Sequence, residues 1–299
     1  MEQKQILLNI SDIKEHNEII LTEEIQKELL DMPRGAERLE IAKENIKHIQ
    51  AYKFTYNSSG RKVKGYLTLP REYENEVKFP VVILNRGGSK HVSQWQDGHM
   101  LNNLVCKYVK WGCAVITTQY SGNDGSEGRD EFGGMDLEDI LNLKNIIDKH
   151  PNLDSEQIAM SGSSRGGLMT YMSIAKVDWI KVAIACCGTT EMAYTYSYRE
   201  DLKSFHLDMY NTESLTELEN RSPVKWANKL LKTPILIMHC SDDNVVKIEE
   251  SLNLVLELQK LQGYYKFISY PEGGHFFGNI TEQFNRDQKE WLEKYIALK

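Results

Sequence analysis

From Pro80 onward the chain alternates short apolar runs with longer segments in which apolar residues recur every three or four positions. The runs are VVIL (81–84), CAVITT (113–118), QIAMS (157–161), KVAIAC (181–186), PILIMH (234–239) and KFISY (266–270). Each is largely apolar at consecutive positions, as expected of strands buried on both faces. The periodic segments predict helices at roughly 98–110, 136–149, 166–175, 248–261 and 281–298. Strands alternating with helices predict a mostly parallel sheet with helices on both faces. Ahead of it, Ala51–Tyr56 and Val63–Leu69 flank the polar turn Asn57-Ser58-Ser59-Gly60 and predict a hairpin supplying antiparallel edge strands.

Two further segments depart from this alternation. The first fifty residues are charged and helical in pattern: TEEIQKELLDM starts at the N-cap candidate Thr22 and stops before Pro33, and ERLEIAKENIKHI predicts a second helix. The expected organisation is therefore a helical extension over 1–50 and one α/β domain over 51–299. Within that domain, residues 188–231 are aromatic-rich and lack the strand–helix rhythm. They predict a small cap over the strand ends, where such sheets place their sites. Tyr194, Tyr196 and Tyr198 are its candidate substrate-binding residues, since large rings bury apolar substrate surface.

Composition narrows the function classes. Hydrophobic residues are 41% and charged residues 26%, which suits a globular protein with a sizeable core. The net charge is −7 with acids and bases interspersed, so there is no basic stripe for a nucleic-acid partner. The five cysteines are odd in number, lack framework spacing and mostly sit in apolar runs, which predicts buried reduced thiols. Cys-x-x-Cys and His-x-x-x-His pairs are missing, so no metal site and no cofactor are expected. The N-terminus, MEQKQILLNISDIKEH, lacks the apolar core of a signal peptide, and no apolar run is long enough to span a bilayer. The expectation is a cytoplasmic protein with no membrane partner.

The candidate chemistry starts at QIAMSGSSRGGLMTYMSIA. Gly162-Ser163-Ser164-Arg165-Gly166 fits Gly-x-Ser-x-Gly between a predicted strand and a predicted helix, the context a nucleophile elbow requires. Side chains two residues either side of the serine would collide with neighbouring elements, hence Gly162 and Gly166. Ser161 and Ser163 lack glycines at both flanking positions, so Ser164 is the candidate nucleophile. A serine needs a base and an orienting acid, each expected after a later strand. PILIMH is followed by Cys240-Ser241-Asp242-Asp243-Asn244-Val245, and KFISY by Pro271-Glu272-Gly273-Gly274-His275-Phe276. His275 is the candidate base. The acid is ambiguous by one residue; Asp242 is preferred because it comes first after the strand, with Val245 three residues on packing beneath the loop. The oxyanion hole is expected from the backbone N–H of Arg165 and from the loop after VVIL, where Gly87 and Gly88 let the backbone approach a substrate oxygen. His239, inside an apolar run, reads as structural; His91 and His99 lie near the first catalytic-side loop and could touch substrate, with the surface reading preferred.

With these residues in place, the chain over roughly 50–299 resembles the catalytic domain of the prolyl oligopeptidase family. The marks are KVKGYLTLP, FPVVILNRGG, the Gly-x-Ser-x-Gly-Gly elbow, RSPVKWANKLLKTPILIMH, SDDNVV and YPEGGHFF. The resemblance implies an α/β-hydrolase fold that cleaves peptides, amides or esters through an acyl-enzyme, with Ser164, Asp242 and His275 in the triad places. Many members carry a β-propeller ahead of the hydrolase domain, and about fifty helical residues leave no room for one. Arg165 stands where the family often has tyrosine, and Arg86-Gly87-Gly88 where it often has His-Gly-Gly. The expected partner is a peptide or small-molecule substrate. Two rival functions are an esterase like the dienelactone hydrolases, with the same chemistry on other substrates, and a non-catalytic binding protein on a hydrolase scaffold.

Overall fold

A computed structural model describes residues 11–73 and 76–299. The reading of the N-terminus as free of a leader rests largely on residues 1–10, outside the described residues. The strands are β1 (Ile13–Glu18), β2 (Ile49–Ser58), β3 (Arg61–Pro70), β4 (Phe79–Asn85), β5 (Ala114–Thr118), β6 (Leu153–Ser163), β7 (Val182–Cys186), β8 (Ile235–Cys240) and β9 (Tyr265–Tyr270). They form one nine-stranded sheet in the order β1-β2-β3-β5-β4-β6-β7-β8-β9. From β5 to β9 all neighbours are parallel, and β1, β2 and β3 add antiparallel pairs at one edge. This is the α/β-hydrolase fold expected from the sequence.

The consecutive apolar runs divide between two cores by strand alternation. Val81, Ile83, Ile158, Met160, Ala183, Ala185, Ile235 and Ile237 face one core. Val82, Leu84, Ala159, Val182, Ile184, Leu236 and Met238 face the other. A strand in such a sheet has no solvent side, so its residues are apolar at both parities. Helices Leu137–Leu141, Leu143–Lys149, Arg165–Ile174 and Glu249–Lys260 cover the first face. Helices Glu23–Asp31, Gly35–Asn45, Asn103–Lys110 and Thr281–Leu292 cover the second.

The extension differs from the all-helical expectation. Its two helices are present, but Ile13–Glu18 is a strand paired antiparallel with β2, so the sheet runs into the extension. IKEHNE carries no apolar alternation because only Ile13 and His16 face inward on this edge; backbone pairing with β2 determines the conformation. Residues 188–231 form the predicted excursion, with helices Met192–Tyr198, Glu200–His206 and Leu215–Asn220 followed by a 3-10 segment at Pro223–Leu230. The buried carboxylate of Glu250 anchors it, accepting Thr190 N–H (2.8 Å), Glu191 N–H (2.9 Å) and the hydroxyls of Thr195 (2.5 Å) and Tyr198 (3.1 Å). Among the described residues no helix is long and apolar enough to cross a membrane.

Candidate active site

β6 ends at Ser163 and a helix begins at Arg165, so Ser164 alone makes the turn, with φ 58° and ψ −125°. Few non-glycine residues adopt such a backbone, and its cost is borne where structure over-determines it. Here Ser164 N–H donates to Cys186 O (2.9 Å), and Ser164 O accepts Gly167 N–H (2.9 Å). The flanking glycines are sterically required. A Cβ on Gly162 would lie 2.2 Å from Gly166 O, and one on Gly166 would lie 2.3 Å from Asn85 O. The turn leaves the Ser164 side chain half-exposed above the sheet.

The loop after β4 lies against this turn. A Cβ on Gly87 would come 3.2 Å from Ser163 O and 3.5 Å from the Ser164 Cβ. Gly87 therefore brings bare backbone alongside the nucleophile, as an oxyanion donor must. Gly88 contributes differently: its φ of +64° turns the loop, and a Cβ there would meet Val92 O at 2.3 Å.

His275 sits in the short 3-10 turn Gly274–Phe276 after β9. Its Nδ1 lies 2.8 Å from Asp243 Oδ2. A carboxylate accepts, so Nδ1 carries the proton and Nε2 keeps its lone pair, as a general base requires. Among the described residues no hydrogen bond joins Nε2 to Ser164 Oγ; such contacts are often loose before substrate arrives.

The preference for Asp242 is corrected here. Asp242 points to the surface, where its carboxylate accepts Gly273 N–H (3.2 Å) and Gly274 N–H (2.8 Å) and so caps the histidine loop. The chain leaves β8 in a turn closed by Asp243 N–H to Cys240 O (3.2 Å), and this turn brings Asp243 inward. Val245, expected beneath the loop, is 38% exposed. Asp243 Oδ1 accepts Val245 N–H (2.8 Å) and Val246 N–H (2.9 Å), and Oδ2 also lies 3.3 Å from His239 Nε2. Burial pushes this carboxyl up, but hydrogen bonds from His239 and His275 outweigh it and hold the group well below the usual carboxylate range. His239 is structural as expected, buried between Ser251 Oγ (2.8 Å) and Val246 O (2.9 Å).

Cys187, which no sequence signal marked, completes the neighbourhood. One donor atom each from Cys187, Asp243 and His275 lie within 4.8 Å of one another. As a metal set this grouping fits poorly. Burial pushes the thiol well above its ordinary value, and the His275 nitrogen facing the acid already carries the proton it donates. Cys187 Sγ instead approaches His275 O (3.5 Å), so the residue after the Ser164 hydrogen-bond acceptor packs beneath the base.

Arg165 has a second role that its backbone position did not suggest. Its side chain is buried and donates to Asp130 (2.7 and 2.9 Å), to Asp136 (2.5 Å) and to Gly88 O (3.1 Å). The guanidinium rests over the rings of Tyr120 (4.7 Å) and Phe132 (4.9 Å). Asp130 also accepts Lys90 N–H (2.8 Å) and the Asn123 amide (3.1 Å). Burial opposes its charge, but Arg165 holds it well below the ordinary carboxylate range. The residue after the nucleophile thus ties the nucleophile helix to the Gly87-Gly88 loop from inside. Arg165→Met would strand two buried carboxylates, an event worth about 3–5 kcal/mol. Denaturant unfolding should show a loss of that order, whereas a change under 1 kcal/mol would mean that the network carries no net stability.

The three candidate tyrosines divide. Tyr196 is buried, with its hydroxyl on His206 Nδ1 (2.9 Å) and paired with Tyr210. Tyr198 bonds Glu250 (3.1 Å) and accepts Lys247 N–H (3.2 Å). Both hold the excursion together rather than present a ring to substrate. Tyr194 is half-exposed and packs edge-on against Tyr198. What brings the excursion to the site is Asp208, which pairs with Lys90 (2.6 Å) of the oxyanion loop and accepts Arg129 through its carbonyl.

The chain is similar to known proteins over most of its length. Residues 100–299 match the prolyl oligopeptidase family. An uncharacterized peptidase from Bacillus subtilis, YtmA, is 28% identical over 251 residues, 82% of this chain and 94% of that protein. The mouse acylamino-acid-releasing enzyme is 22% identical over 262 residues, 77% of this chain but 33% of that enzyme. Among solved structures, the Pyrococcus horikoshii acylaminoacyl peptidase superposes with a TM-score of 0.71 at 20% identity, covering 86% of this chain and 43% of its own. The chain thus spans nearly all of one relative and less than half of the larger ones. A nucleophile turn, an adjacent backbone loop and a His–Asp pair at the C-terminal ends of a hydrolase sheet fall within or beside a family match over residues 100–299: the chain belongs to the prolyl oligopeptidase family and is a serine hydrolase of that family.

Proposed function

We propose that the protein hydrolyses peptide bonds through an acyl-enzyme on Ser164, with His275 as general base and acid and Asp243 as the orienting carboxylate. The 2.8 Å hydrogen bond between His275 Nδ1 and Asp243 carries this reading, because it fixes the tautomer that leaves the Nε2 lone pair free to act as base. His275 takes the Ser164 proton as Oγ adds to the carbonyl carbon. The developing oxyanion is held by the N–H groups of Arg165 and Gly87, neither of which donates within the protein among the described residues. The proton then passes from His275 to the departing amine as the acyl–nitrogen bond breaks. Water, deprotonated by the same imidazole, releases the acid and restores Ser164.

Family membership makes peptides the proposed substrate class over simple esters. Of the three tyrosines, Tyr194 is the one we retain as a wall of the acyl pocket. A reducing, cytoplasmic setting belongs to the same proposal, supported by five cysteines that are all free and buried. Parallel kinetics on p-nitrophenyl esters and N-blocked peptides test it. Peptide turnover should reach about 1 s⁻¹ or more at saturation, within the ordinary range for enzymes. Turnover of esters with no detectable peptide cleavage would move the protein to the esterases.

A further inference from the structure

The acyl-enzyme step needs space for what departs. The imidazole that accepts the Ser164 proton must return it to the leaving atom, so that atom lies within hydrogen-bond reach of His275 Nε2. Whatever is attached to it has to extend past His275. A groove of about 820 Å3 opens beside the next residue, Phe276. Phe276 forms its lip, with a ring centroid 5.2 Å from the imidazole and 86% of the residue exposed. Helix Gly35–Asn45 contributes one wall, and the chain from 278 into helix Thr281–Leu292 contributes the other.

The groove walls carry Arg34, Arg38 and Arg286 against Glu37 and Glu282. Arg34 is committed to Glu37 by two hydrogen bonds of 2.7 and 2.8 Å. Arg38 uses only Nε, on Pro33 O (2.9 Å), and among the described residues its terminal amino groups have no carboxylate partner. Arg286 has neither an ion pair nor a hydrogen bond among the described residues. On a chain of net charge −7, this basic groove beside the base would draw an anionic group toward it.

We propose that the groove binds the leaving-group half of the substrate, and that Arg38 and Arg286 receive the carboxylate at a peptide's C-terminus. The proposal rests on the hydrolase reading above and adds the substrate feature recognised on the departing side. A planar guanidinium suits a carboxylate geometrically, and two of them on facing walls would fix how far the peptide extends beyond the cleaved bond.

Cleavage of an N-acetylated tetra-alanine with a free carboxylate and of its C-terminal amide tests this directly. Wild-type kcat/KM should favour the acid by about tenfold, with the preference shrinking at high salt. The Arg38→Gln/Arg286→Gln double variant should lower that ratio to about 1–2. Lys229→Gln/Lys232→Gln, an equal charge change at two exposed lysines just before β8 at the opposite ends of the strands, should leave the ratio intact. A wild-type ratio near one, or a ratio unchanged in the double variant, overturns the proposal. Calorimetry of the same two peptides on Ser164→Ala decides the groove without turnover: about tenfold tighter binding of the acid supports it, and equal affinity overturns it. Absent hydrolysis together with that binding difference would count against the catalytic reading and leave the groove standing.

Discussion

Ser164→Ala is expected to reduce kcat by about 10⁴–10⁶ and to abolish covalent labelling by a fluorophosphonate. Ser164 is the only residue between β6 and the following helix, and its strained turn lifts Oγ above the sheet beside Gly87. The contacts that hold the turn are backbone ones, Ser164 N–H to Cys186 O and Gly167 N–H to Ser164 O, and alanine preserves both. Thermal unfolding should therefore change little while chemistry is lost. Labelling of the variant at the wild-type rate would place the nucleophile elsewhere; Ser163, exposed one residue earlier, would be tested next.

Asp243→Asn should cost about 10⁴ in kcat, and Asp242→Asn less than about tenfold. An amide at 243 presents an N–H₂ group or a weaker acceptor to His275 Nδ1 and no longer enforces the tautomer with Nε2 free. Asp242 acts on the histidine only through the loop, by accepting two backbone N–H groups at its exposed end. The folded-state pKa of Asp243 is depressed. The stability it contributes is present above the ordinary carboxylate pKa and is lost only as pH falls through the folded value. Acid unfolding of Asp242→Asn should therefore set in at the wild-type pH, because the depressed carboxyl is unchanged there. Equal losses in the two variants would remove the distinction between the aspartates.

Much of the fold was legible because burial on both faces leaves a direct trace. The consecutive apolar runs all became strands, and the periodic segments between them became helices, most with ends displaced by a few residues. The polar edge strand Ile13–Glu18 escaped because its structure comes from pairing with β2 rather than from side-chain pattern. The aromatic residues of the excursion were visible as a group, but nothing in their spacing separates a ring that faces substrate from one that bonds His206 or Glu250.

The sequence by itself marked the parallel strands of the sheet and singled out the proposed nucleophile and base. Gly162 and Gly166 admit only one serine to the turn, and His275 is the one histidine in a glycine-rich loop after a late strand. The acid was decided by tertiary structure. Two adjacent aspartates are equivalent in sequence, and the turn closed from Asp243 N–H to Cys240 O determines which one faces inward. Arg165 shows the same division. Its backbone place beside the nucleophile follows from the motif, whereas its partners Asp130 and Asp136 lie 35 and 29 residues away and meet it only when the chain is folded. A buried charge can be accommodated only where opposite charges converge on it, and that convergence is a property of the packed molecule.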